Sequence, residues 1–363
     1  MNYKGRLGRA IDAVHAAHVA VLIVAHLPNI RYLCGFSGSS GVLVIAKQGA
    51  VLFTDGRYRQ QAHDEVKGVR VSIGRKPALL MAAEWLQQRA SKLGSGSRIG
   101  IEAAHMSVAD RNSLAKALPR GFKLIATVGV LERIRVIKDP DEVARIRKAC
   151  HLGAELFRGL LKTIRPGVSE AQVAGALEFA ARKAGAEQMS FPTIIAGGTR
   201  SALPHGRASD HSIPGRGFVV CDFGVILAGY CSDMTRTVHV GRPTTEARRI
   251  YEAVREAQQA AVAAVTPGVS LGEVDGTARK VLKRNGLGRY FTHSTGHGVG
   301  LEIHEAPRIA AGQTEVLKPG MVITIEPGVY IPGKCGLRIE DMVVVTDRGC
   351  EVLTPTSKEM VAI

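Results

Sequence analysis

One stretch of the chain occurs twice. RPGVSEAQVAGALEFAARKAG at 165–185 aligns with TPGVSLGEVDGTARKVLKRNG at 266–286, at a fixed offset of 101 residues. Each copy opens on PGVS, which places Ser169 or Ser270 to cap a helix, and each ends in glycine. Two copies at so long a period make no solenoid. They constrain the second part of the chain to two similar halves facing each other across a cleft, each with a helix leading into β-rich sequence.

A boundary precedes them. In IRVIKDPDEVARIRKAC, Asp139 can cap a helix, Pro140 sits at its first position and Glu142 completes a capping box, with apolar spacing continuing through 162. We therefore divide the 363 residues into domains 1–131 and 132–363. The first domain alternates. A helix near 6–17 leads to a strand at 19–24, apolar runs at 41–46 and 51–54 flank a KQG turn, and helices follow near 57–66 and 77–93. That is an α/β pattern with a mixed sheet.

Composition excludes several classes. With 45% apolar and 22% charged residues the chain is an ordinary globular one. No apolar run approaches the roughly 20 residues of a membrane span. No secretory signal is visible, and six cysteines without a CxxC pair predict no disulfide framework, so we expect a cytoplasmic protein. Residues 1–131 carry 18 basic and 7 acidic side chains, whereas 132–363 carry 30 and 25. The basic first domain lacks basic runs with interleaved aromatics, which argues against nucleic acid.

Two hairpins in the second domain carry four carboxylates. FVVCDFGVILAGYCSDMTRTVHV (218–240) reads as two strands about a turn at Leu227–Ala228, so paired residues sum to 455 and Asp222 faces Asp233. In MVITIEPGVYIPGKCGLRIEDMVVV (321–345) the turn is Pro332–Lys334, so pairs sum to 666 and Glu326 faces Glu340. Pro327 points to an edge or a bulge there. Like charges opposed on apolar strands destabilise a sheet unless something compensates them. A cation compensates both pairs at once.

Three histidines, His293, His297 and His304, cluster in THSTGHGVGLEIHEAPR, where Gly296, Gly298 and Gly300 permit close approach. Oxygen-rich ligation with one imidazole suits hard or borderline divalent ions. Four carboxylates are enough for two such ions about 3.5–4 Å apart, an arrangement suited to hydrolysis.

At these residues the sequence resembles the pita-bread metallopeptidases, which include methionine aminopeptidase, aminopeptidase P, prolidase and creatinase. VCDFG, CSDMTRT, GHGVG, IEPG and RIED carry the likeness, with NIRYLCGFSGSSG, LFTDGRY and RVIKDPDEVARIRKA upstream. The resemblance implies an α+β fold. A pita-bread catalytic domain with an internal pseudo-twofold repeat follows a creatinase-like α/β N-terminal domain. It implies Asp222, Asp233, His297, Glu326 and Glu340 as ligands of two divalent ions, Mn²⁺ first, with Co²⁺ or Zn²⁺ as alternatives. It makes His205 and His304 catalytic histidines and Glu326 also the proton shuttle. It places His293, Arg308, Tyr330 and Arg338 near substrate, and it implies a homodimer.

The N-terminal domain and the complete ligand set point to the Xaa-Pro branch. The 14-residue separation of Glu326 and Glu340, and HEAPR, favour prolidase, which cleaves Xaa-Pro dipeptides, over aminopeptidase P, which acts on longer peptides. Arg308 either captures the dipeptide carboxylate or pairs with Glu305. Cys221 and Cys231 alternate away from the aspartates and pack in the sheet. A non-catalytic binding module on the same fold, or a C–N hydrolase acting on a non-peptide, are the competing readings.

Overall fold

The computed structural model describes residues Met1–Ile363, which divide into two units, Met1–Arg135 and Val136–Ile363. In the first unit the short apolar runs become strands: β1 (Val21–Val24), β2 (Val42–Ala46), β3 (Gly49–Asp55), β4 (Arg70–Gly74), β5 (Arg98–Glu102) and β6 (Lys123–Thr127). They order β4-β3-β2-β1-β5-β6. β1 runs antiparallel to β2 and parallel to β5, so the sheet is mixed as expected. β1 and β2 are buried at every position, which is why they read as unbroken apolar runs rather than alternations. Helices α1 (Tyr3–Ala16), α2 (Leu27–Cys34), α3 (Arg59–Glu65), α4 (Ala78–Gln87), α5 (Ala90–Leu93), α6 (Val108–Ala117) and α7 (Glu132–Arg135) complete this unit. The single helix expected over 77–93 is thus two, broken at Gln88–Arg89.

The second unit realises the repeat. Helix α8 (Pro140–Leu160) starts on a full capping box, with Glu142 N–H on Asp139 Oδ1 at 2.9 Å and Asp139 N–H on Glu142 Oε2 at 3.0 Å. Helix α9 (Glu170–Lys183) starts at Ser169, helix α10 (Thr245–Ala263) at Thr244 and helix α11 (Leu271–Arg284) at Ser270. Ser169 and Ser270 each close a capping box, so the two PGVS copies do the same local work. Each repeat also anchors to a later strand-like segment, through Gly167 N–H to Ile213 O and Gly268 N–H to Leu317 O. Helices α8 and α9 supply one apolar core and α10 and α11 another, with Phe218 of the first half reaching into the second core.

Those strands are β7 (Gln188–Met189), β8 (Ile194–Gly197), β9 (Gly217–Phe223), β10 (Val225–Leu227), β11 (Tyr230–Cys231) and β12 (Met234–Val240) in the first half. The second half has β13 (Gly296–Gly298), β14 (Glu305–Ile309), β15 (Val322–Ile325), β16 (Gly328–Ile331), β17 (Cys335–Arg338), β18 (Asp341–Val345) and β19 (Cys350–Val352). They form sheets β12-β9-β8, β11-β10-β7, β14-β13-β15-β18-β19 and β16-β17. No helix is long and apolar enough to cross a membrane.

Candidate metal centre

Hairpin register decides where the carboxylates fall. The second hairpin behaves as read: Ile325 pairs with Asp341 and Gly328 with Arg338, so the register on both sides sums to 666 and sets Glu326 across from Glu340. The first does not. Leu227 pairs with Tyr230 and Asp222 with Thr235, so pairs sum to 457. The turn is Ala228–Gly229, whose φ values of 49° and 84° suit a two-residue hairpin, rather than Leu227–Ala228. Asp233 is therefore diagonal to Asp222, not opposite it. The shift is by two residues, and side chains alternate with period two, so both aspartates keep the same face.

The two halves are stitched together at this point. Glu340 N–H donates to Thr235 O at 3.1 Å, and Thr235 Oγ1 donates to Glu340 Oε2 at 2.6 Å. Thr324 Oγ1 donates to Glu326 Oε1 at 3.2 Å and accepts the His297 N–H at 3.0 Å. Gly296 is needed here, because a Cβ on it would lie 1.9 Å from Thr324 O.

Three carboxylate oxygens are left over. Asp222 Oδ1, Asp233 Oδ1 and Glu340 Oε1 are buried with no hydrogen-bond partner. Ligand atoms of Asp233, His297 and Glu340 all lie within 4.8 Å of one another. His297 Nδ1 lies 3.0 Å from Gly298 O, an acceptor, so that nitrogen carries the proton and Nε2 presents a lone pair. That lone pair faces Glu326 Oε1 at 3.4 Å and Asp233 Oδ2 at 3.6 Å. Electron-rich atoms converge here, three of them without a hydrogen-bond partner, which is the donor set a divalent cation satisfies.

The electrostatics agree. Burial, reinforced by the neighbouring carboxylates, holds Asp233 and Glu340 well above the ordinary carboxylate range. Burial pushes Glu326 up to about 7. Burial lowers His297, keeping the imidazole neutral and able to ligate.

A cavity of about 600 Å³ is lined by His205, Asp222, Asp233, His293, His297, His304, Arg308, Glu326, Arg338 and Glu340. Of the sequence-derived site residues, only Tyr330 is not among its lining. Its hydroxyl accepts from Arg338 and lies 3.0 Å from His293 Nε2. His293 Nδ1 in turn lies 2.8 Å from Ser294 O, and burial together with Arg338 lowers its pKa to about 4. Arg338, 3% exposed, gives its donors to Thr235 Oγ1, Pro204 O, Tyr330 and Asp222, so it positions groups around the cavity rather than reaching freely into it. His304 packs edge-on against His297, ring centroids 4.4 Å apart. Arg308 does not pair with Glu305. That carboxylate goes to Lys138 at 3.1 Å, and the exposed Arg308 guanidinium has no partner. Cys221 and Cys231 are buried in the sheet with their thiols pushed up by burial.

Thr235 and Thr324, both fully buried, escaped sequence reasoning. Their signal was period two: each lies two positions from a candidate ligand, on the same face of its strand. Phe191, Pro192, Ile194 and Arg207 also line the cavity, and nothing local in the sequence marks them.

Comparison with known proteins matches residues 144–347 to metallopeptidase family M24 and residues 6–137 to the creatinase/prolidase N-terminal domain. A Xaa-Pro dipeptidase of Pyrococcus furiosus is 38% identical, covering 98% of this chain and 99% of that protein. The structure of a Xaa-Pro dipeptidase from Bacillus anthracis superimposes with a TM-score of 0.95 at 38% identity over 100% of both chains. An X-Pro aminopeptidase from Thermotoga maritima gives 0.89 at 32% identity, over 97% of this chain and 100% of that one.

Proposed function

The chain belongs to metallopeptidase family M24, and from that premise we propose that it is a Xaa-Pro dipeptidase, cleaving the bond that precedes proline. The observation that carries this reading is the convergence of three partnerless buried carboxylate oxygens with the His297 lone pair at one wall of the cavity. Asp222, Asp233, His297, Glu326 and Glu340 hold two divalent cations, which we take to be Mn²⁺. Bound there, such ions lower the pKa of water and polarise the scissile carbonyl.

The remaining chemistry belongs to side chains. His205 and His304 orient the scissile group and stabilise the tetrahedral oxyanion. Glu326, at the wall of the cavity, passes a proton to the departing proline nitrogen. Arg308, unpartnered at the cavity wall, takes the dipeptide carboxylate by a bidentate contact. His293, held by Tyr330 and Ser294, lines the substrate side. The six free thiols support a cytoplasmic setting, and the family resemblance supports a homodimer with domains at 1–131 and 132–363.

The test is a side-by-side assay of metal-stripped protein on Ala-Pro and Ala-Pro-Ala, with and without Mn²⁺, scoring free alanine. Mn²⁺-dependent release from Ala-Pro alone is the expected outcome. Release from the tripeptide would make the enzyme an aminopeptidase of the Thermotoga kind. Metal binding without cleavage of either would overturn the substrate assignment.

A further inference from the structure

We propose that the buried Lys138–Glu305 ion pair is a positioning device that sets His304 over the metal centre, an inference that rests on the catalytic role given to His304 above. Lys138 lies just before the capping residue of α8, and its N–H is fixed on Gly320 O at 2.8 Å. Its ammonium meets Glu305 Oε2 at 3.1 Å, with the two side chains 1% and 7% exposed. Glu305 Oε1 accepts the Glu302 N–H at 3.1 Å, and Gly300 N–H donates to Glu302 O at 3.0 Å. The carboxylate therefore closes the loop 300–305 on itself. Gly300 is shaped to it: a Cβ there would lie 2.6 Å and 2.7 Å from the two carboxylate oxygens.

His304 is the residue inside that loop whose ring faces the centre. It has no side-chain hydrogen bond of its own and is placed by its edge-on contact with His297 and by the backbone that carries it. The pair is a costly way to gain stability, because apolar groups of similar volume often do as well in a core. It also sets a further carboxylate at the cavity wall, beside four others, and Lys138 neutralises it locally. A fixed loop conformation is what the ion pair gives and an apolar pair would not.

The experiment compares Lys138→Met/Glu305→Gln, which keeps side-chain volume and removes both charges, with His304→Ala and with the combined variant, all loaded with metal. We expect the neutral pair to fold, to keep its metal content and its KM for Ala-Pro within about twofold, and to lose roughly 10–100-fold in kcat. In the His304→Ala background the same change should cost nothing further. Lys138→Arg, which keeps the charge, should recover most of the rate, and it carries the test if the neutral pair does not fold. A readout independent of turnover is the His304 imidazole resonance in zinc-loaded, histidine-labelled protein, which should move in the neutral pair. Unchanged kcat, losses that multiply with His304→Ala, or an unmoved His304 resonance would each overturn the proposal. Wild-type protein that binds metal and leaves Ala-Pro intact would instead overturn the dipeptidase reading, with the resonance still deciding the positioning.

Discussion

Arg338 donates from Nη2 to Asp222 Oδ2, tying β17 to β9 across 116 positions of sequence. The same guanidinium holds Thr235, Pro204 and Tyr330. Asp222 Oδ1 is thereby left as the free oxygen of that carboxylate, buried and without a partner. Arg338→Lys keeps the charge and loses the planar fork. We expect a fall of about 10–100-fold in kcat/KM with reduced metal occupancy, read by steady-state kinetics and elemental analysis. Wild-type occupancy and rate would show that one contact suffices.

Thr235→Val removes the donor to Glu340 Oε2 at nearly constant volume. A buried acceptor is then left unsatisfied, which costs about 1–3 kcal/mol. The metal-free variant should melt several degrees below metal-free wild type, measured by calorimetry. Metal should restore part of the difference by giving Glu340 another partner.

Metal removal should make stability depend on pH. In the metal-free protein Glu326 titrates near 7, and Asp233 and Glu340 lie well above their ordinary range, all raised by burial. Folded pKa values above unfolded ones favour the native state at low pH. Glu326's contribution is complete below its unfolded pKa and is lost as pH rises through about 7. The melting temperature of stripped protein should fall between pH 5.5 and 8.5, and saturating Mn²⁺ should flatten or reverse that slope. A stripped protein with a flat profile would contradict the assignment.

Arg308→Ala should act on binding of the dipeptide carboxylate. A charge-assisted hydrogen bond contributes about 1.5–3 kcal/mol, so KM for Ala-Pro should rise roughly 10–100-fold. The Ala-Pro amide, which lacks the carboxylate, should be nearly indifferent to the substitution. Equal effects on both compounds would assign Arg308 some other task.

Which of these features could be read from the chain follows from their range. Capping boxes at Asp139, Ser169 and Ser270 are local, and each formed as its sequence dictates. The Glu326–Glu340 register was legible because Pro332–Gly333 fixes its turn. Asp222 was misplaced by two positions because Ala228 adopts a left-handed conformation that alanine seldom takes. The face survived because the error was even. The partners of Glu305 and Glu340 were not legible, because they lie 167 and 105 positions away and meet only when the sheets assemble.

The leftover oxygens of Asp222, Asp233 and Glu340 bear on more than turnover. A chain that must bury carboxyl oxygens without partners before any cation arrives spends more time open, and open chains are what degradative proteases capture. Supply of the ion would then govern how much of the protein a cell holds, and scarcity would be felt as loss of the molecule as well as of its rate.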